Sequence, residues 1–116
     1  MRIQVREVVG ENAMTLDDGR AIFQNIHEPL LHGRDIELDF EGVKVFASPF
    51  FNAGIGALLA DMRAEDLNSH LKIIHISESG GRVLRRVIEN AKDYYSSSRE
   101  QRSAAARIVE ESSKAH

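Results

Sequence analysis

The chain has 116 residues, 42% of them hydrophobic and 28% charged, with 15 Lys/Arg against 18 Asp/Glu and no cysteine. That is the size and apolar content of one folded domain, and the missing cysteines exclude disulfides, a thiol nucleophile and a thiolate zinc site. A net charge of −3 and a pI near 5.9 argue against nucleic acid as a partner, because no basic excess is present.

No apolar run approaches the ~20 residues of a membrane span, and Met1-Arg2-Ile3-Gln4-Val5 lacks a signal-peptide stretch. A cytoplasmic protein without a membrane partner is the expectation. From Arg2 to Val9, Ile3 and Val5 alternate with Gln4 and Arg6, which predicts a strand with one covered face. Gly10-Glu11-Asn12 turns the chain, and Ala13-Met14 adds a short return strand. Thr15 is placed to cap a helix, with Asp18 three residues on and both Asp17 and Asp18 at the positive end of its dipole. Ile22, Phe23, Ile26 and Leu30 form its buried stripe; Pro29 predicts a kink or fraying, and His32-Gly33 the end.

Asp35–Phe40 is the clearest strand, with Ile36, Leu38 and Phe40 on one face, and Val43–Ala47 predicts another after the Glu41-Gly42 turn. Ser48-Pro49 then opens a helix, serine as N-cap and proline at the first helical position. Its stripe is Phe51, Ile55, Leu58, Leu59 and Met62. Gly54 and Gly56 inside it, costing roughly 1 kcal/mol each relative to Ala, predict close packing against the sheet. Arg63–Ser69 reads as irregular. His70–Ser77 reads as an interior strand, and Ser77–Gly81 leads into a helix burying Val83, Leu84, Val87, Ile88, Ala91 and Tyr94. Residues 98–116 hold four basic and three acidic side chains and read as a marginal helix or disordered tail, with a thin seam of Ala105, Ile108 and Val109. The domain is therefore placed at residues 1–97. Strands separated by helices, two of them clearly alternating, predict an α/β fold: a mixed sheet of about four to five strands with helices mainly on one face.

The stretch Ile36-Glu37-Leu38-Asp39-Phe40-Glu41-Gly42-Val43, followed by Ala47-Ser48-Pro49-Phe50-Phe51-Asn52, resembles the STAS fold of sulfate transporter and anti-sigma-factor antagonist domains. It looks closest to the STAS-like family of unassigned function, and Asp18-Gly19-Arg20 after a turn is a further family-like feature. The resemblance covers roughly residues 1–95. It implies a non-enzymatic regulatory domain of bacterial type that binds a protein: a histidine-kinase-like ATPase, which phosphorylates a serine at the start of that helix, or an anti-sigma factor. By motif that phosphoacceptor falls on Ser48, and the implied partner-binding surface comprises Ser48, Phe50 and Asn52. At the flanks the chain has Ala47, Pro49 and Phe50 where the antagonist pattern has Asp before the serine and Ser-Gly after it.

Other constellations are weaker. A triad of Ser48, His75 and Asp39 has the residue types but no nucleophile elbow, so no catalytic residue is assigned. His27/His32 and His70/His75 are each five apart, a spacing that puts neither pair on one face of a helix or strand, and no metal site or cofactor is expected. Ser79, Gly80, Gly81 and Arg82, after a strand and before a helix, form an alternative phosphate-binding turn, and the alternative function is a small-ligand or nucleotide-binding enzyme using the 77–82 glycine turn, though without a Rossmann or P-loop pattern. The tail's seam offers a route to a homo-oligomer.

Overall fold

Two small parallel sheets organise the chain, described here from a computed structural model over residues 1–95. In the first, β3 (Ile36–Asp39) lies between β1 (Arg2–Gln4) and β5 (Leu71–Ile74). Arg2, Ile3 and Gln4 stand opposite Glu37, Leu38 and Asp39, and Ile36 to Asp39 opposite Leu71 to Ile74. In the second, β2 (Asn12–Ala13) pairs with β4 (Val45–Phe46). The α/β class holds. The expected single mixed sheet is replaced by two sheets, every pairing parallel, because each pair is joined by a crossover through helices.

Alternation gives the larger sheet two different faces. Ile3, Leu38 and Ile73 share a register row and face the core; Arg2, Glu37 and Lys72 share the next and carry charge, with an Arg2–Glu37 ion pair at 3.1 Å. β5 is an edge strand among the described residues, not the interior strand expected, and it is correspondingly only half-buried.

Three elements differ from the sequence reading. The first strand stops at Gln4, and Val5–Val9 forms α1. Val5 is buried and Val9 partly so, one helical turn apart, a pattern that the neighbouring alternation masks. Most of the Arg63–Ser69 stretch, together with His70 from the expected strand, forms α4 (Ala64–His70), where Glu65 and Asp66 sit favourably in the first turn but only Leu67 is buried. The helix after Ser48-Pro49 breaks into α3 (Ser48–Gly54) and a 3-10 segment, Gly56–Ala60.

The long helix α2 (Leu16–Leu31) follows its sequence signals. Thr15 Oγ1 accepts from the Asp18 N–H at 3.1 Å, and Gly19, Ile22, Ile26 and Leu30 are buried. Pro29 falls in the last turn, so the helix continues only to Leu31 before Gly33 takes a left-handed φ of 74°. Residues 78–95 form α5, which buries Val87 and Ala91; Tyr94, expected inside, is 67% exposed, and Tyr95 packs against the core instead.

The core is one cluster, centred on α2, α3 and the inward face of β3. Phe40, Phe46 and Phe51 form a ring cluster with centroids 5.8–6.0 Å apart, Phe46 stacked on Phe51 and Phe40 tilted against both, and Phe50 meets Phe51 edge-on at 5.3 Å. Gly54 packs not on the sheet, as expected, but on Gly19 of α2. A methyl group at Gly19 would overlap the Phe50 carbonyl oxygen and lie 2.8 Å from Ala53 Cβ, so these helices touch backbone to backbone. Gly56 instead faces Val87 and Ala91 of α5. The tail reading at residues 98–116 lies outside the described residues.

Candidate functional site

Parallel strands deliver their carboxyl ends to one edge of a sheet, where α/β folds place their ligands. Here that edge gathers Gln4, Asp39 and, just past β5, His75. Asp39 is 2% exposed, the one buried charged side chain among the described residues. Its Oδ1 accepts the Glu41 N–H at 2.9 Å and the His75 Nδ1–H at 2.9 Å; an ionised carboxylate has no proton of its own to give. The Glu41 N–H first, and the His75 bond second, hold the Asp39 carboxyl below the ordinary Asp value, against the opposing effect of burial. His75 adopts φ 57°, which ends β5 and leaves its ring 56% exposed above Asp39. Beside it, Gln4, Arg6, Glu7, Asp39 and Glu41 line a cleft of about 340 Å³.

The pairing of Asp39 with His75 is what the imagined triad needed, but Ser48 is not part of it. Asp39 and His75 also form, with Glu41, a set whose ligand atoms lie within 4.8 Å of one another and could hold a metal ion. Histidine spacing does not reveal this set, because its other members are carboxylates at the end of β3 and in the turn after it.

Ser48 stands at the start of α3 and shares no hydrogen bond with Asp39 or His75 among the described residues. Its expected capping role is not used: Ala47, extended and tied by its N–H to the Ala13 carbonyl at 3.0 Å, is the N-cap, and no side chain caps the helix. Ser48 is instead the first helical residue, exposed, and its hydroxyl makes no hydrogen bond within the described residues. Pro49 and Asn52 are exposed as well. Phe50 is fully buried, so it cannot serve as the surface anchor expected beside Ser48; both phenylalanines are spent on the core, where the approach of α2 encloses them. Exposed apolar side chains are present nearby instead. β2–β4 pairing and the Ala47–Ala13 bond bring Val45 and Met14 alongside the start of α3, and Leu16 opens the helix packed on it; all three are 41–46% exposed. No sequence period marks them, since Val45 and Leu16 are the first residues of their elements and Met14 lies between two.

The glycine turn is occupied by its own chain. Ser77 Oγ accepts the Gly80 N–H at 3.1 Å and lies 3.2 Å from Ser79 Oγ, while the Ser77 carbonyl takes the Gly81 N–H at 2.8 Å. Gly80 is buried against Phe46 and Ile76, and Arg82 is exposed on the helix face.

Among the described residues, no helix is long and apolar enough to cross a membrane. No curated protein and no solved structure matches the chain. A family model described as a STAS-like domain of unknown function matches residues 18–81, from the first turn of α2 through β3, the Ser48 helix start and β5 to the beginning of α5. That segment is more than half of the chain and contains Asp39, Glu41, Ser48 and His75. The chain belongs to the STAS-like domain family of unknown function.

Proposed function

We propose that this domain is a non-enzymatic regulatory module that binds another protein through the surface around Ser48 and Asn52, and that phosphorylation of Ser48 releases the partner. The observation that carries the reading is the Ser48 hydroxyl, exposed at the first turn of α3 and free of any capping bond within the described residues. A kinase can reach it without unfolding the helix.

The surroundings supply the switch. Met14, Leu16 and Val45 give a partner apolar surface to cover, and exposed apolar groups with a polar rim characterise protein contact sites. A phosphate brings about −1.5 to −2 charges at neutral pH, and burying it against an apolar or acidic partner costs desolvation and repulsion. On its own protein the same phosphate sits at the positive end of α3, so the fold tolerates it. By resemblance to anti-sigma-factor antagonists, the partner is a histidine-kinase-like ATPase or an anti-sigma factor, acting in the cytoplasm.

The test uses the full chain with ATP and the histidine-kinase-like ATPases of its own genome, read by intact mass. The reading predicts addition of a single phosphate, abolished by Ser48→Ala. Phosphate elsewhere, or none with any of those kinases, contradicts it.

A further inference from the structure

We propose that Asp39, Glu41 and His75 form a binding site for a divalent transition-metal ion of the Zn²⁺ class. Ser48 is not a member of the set, and the proposal does not rest on the switch. Its first support is the donor set. One imidazole and two carboxylates come together from the end of β3, the turn after it and the end of β5, with their ligand atoms within 4.8 Å of one another.

Distance makes the set more than a coincidence of composition. Zinc bonds nitrogen and oxygen ligands at about 2.0–2.2 Å, which places neighbouring ligand atoms about 3.0–3.5 Å apart. Asp39 Oδ1 and His75 Nδ1 already stand 2.9 Å apart. A cation there takes the place of the proton they now share, and that proton is released to solvent. Glu41 is exposed on the turn, so rotation of its side chain closes the remaining gap.

The second support is an open coordination position on Asp39. Among the described residues both hydrogen bonds of its side chain fall on Oδ1, and no buried side-chain oxygen or nitrogen lacks a partner, so Oδ2 reaches solvent and can bind a ligand without displacing a protein partner. Asp39 lines the cleft shared with Gln4, Arg6, Glu7 and Glu41, where three carboxylates outnumber one guanidinium. The nearest arginines are engaged elsewhere: Arg6 with Glu11 at 3.5 Å, Arg2 with Glu37 at 3.1 Å.

Ligand type selects the metal. An imidazole with two carboxylates suits Zn²⁺ and its first-row neighbours, whereas Mg²⁺ and Ca²⁺ favour oxygen alone. Three protein ligands also leave room for water.

Calorimetric titration of the metal-free full chain with ZnCl₂, and separately with MgCl₂, tests the proposal. It predicts one saturable Zn²⁺ site and no comparable Mg²⁺ heat. Glu41→Ala, which keeps the backbone N–H that Asp39 needs, and His75→Asn, which tolerates the left-handed φ, should each weaken Zn²⁺ binding by at least about tenfold. His27→Gln, at a separate pair with Asp61, should leave it unchanged. Absence of saturable Zn²⁺ binding, equal affinity in Glu41→Ala and His75→Asn, or Mg²⁺ bound as tightly as Zn²⁺ overturns the proposal. Circular dichroism confirms that each variant is folded before it is titrated.

Discussion

Substituting Gly19 by alanine puts the contact between α2 and α3 to a quantitative test. The added methyl would overlap the Phe50 carbonyl oxygen and lie 2.8 Å from Ala53 Cβ and 3.1 Å from the Gly54 nitrogen. Carbon atoms rest at about 3.5–4.0 Å, so the helices must separate by roughly 0.7–1 Å. Two of these obstacles are backbone atoms that cannot rotate away, and the shift carries Phe50 and Phe51 out of their packing. Overpacking of this kind costs about 1–3 kcal/mol, and with backbone obstacles the upper end applies. Alanine returns roughly 1 kcal/mol of helix propensity, leaving a net loss of about 2 kcal/mol. For a domain this small, that lowers Tm by about 8–16 °C. Gly56→Ala is the control: its methyl would meet Val87 Cγ1, the end of a side chain, at 3.3 Å, and Ala91 Cβ and the Phe51 carbonyl oxygen at ordinary contact distances of 3.5 and 3.6 Å, so its effect should stay within about 1 kcal/mol. Urea and thermal unfolding followed by circular dichroism measure both. A Gly19→Ala midpoint equal to or above that of the unsubstituted chain refutes the close contact.

Two further changes probe the local devices. Thr15→Ala removes the acceptor of the Asp18 N–H and should destabilise the chain by about 1 kcal/mol in urea unfolding, with the slope unchanged. Asp39 predicts an acid dependence: its carboxyl titrates lower folded than unfolded, so the native state binds fewer protons there and stability rises with pH. That contribution is complete above the ordinary Asp value of about 3.9 and is lost as pH falls through the lower folded value. Asp39→Asn, which can still accept the Glu41 N–H, should flatten this part of a urea-midpoint profile recorded from about pH 6 down to about pH 2; an unchanged profile contradicts the assignment.

How far the sequence alone revealed this protein depends on element length. α2 was legible because Ile22, Ile26 and Leu30 repeat over four turns behind a threonine cap. β3 was legible because Ile36, Leu38 and Phe40 alternate on a strand covered along that face. α1 and α4 were not, since a helix of five or seven residues with one fully buried side chain has no periodicity to detect. β2 and β4, two residues each, owe their form to pairing with one another, and no local pattern separates them from the main sheet. The candidate site divides in the same way. Ser48-Pro49 announced a helix start by local chemistry, although backbone pairing at Ala47 moved the cap by one residue. The Asp39–His75 pair spans two strands and arises only from the register that sets Asp39 opposite Ile74. Phe50 was expected on the surface beside Ser48, but helical geometry fixes only its angle from Phe51, about 100°, and both rings are buried.

The Ser48 switch is tested most directly by binding, measured on a partner purified from the native cells with the Ser48→Ala chain as bait. Titrated against that partner, the Ser48→Asp chain and the chain phosphorylated at Ser48 should bind at least about tenfold more weakly than Ser48→Ala, a loss of about 1.4 kcal/mol, with unfolding midpoints unchanged. Equal affinity for all three chains would contradict the account.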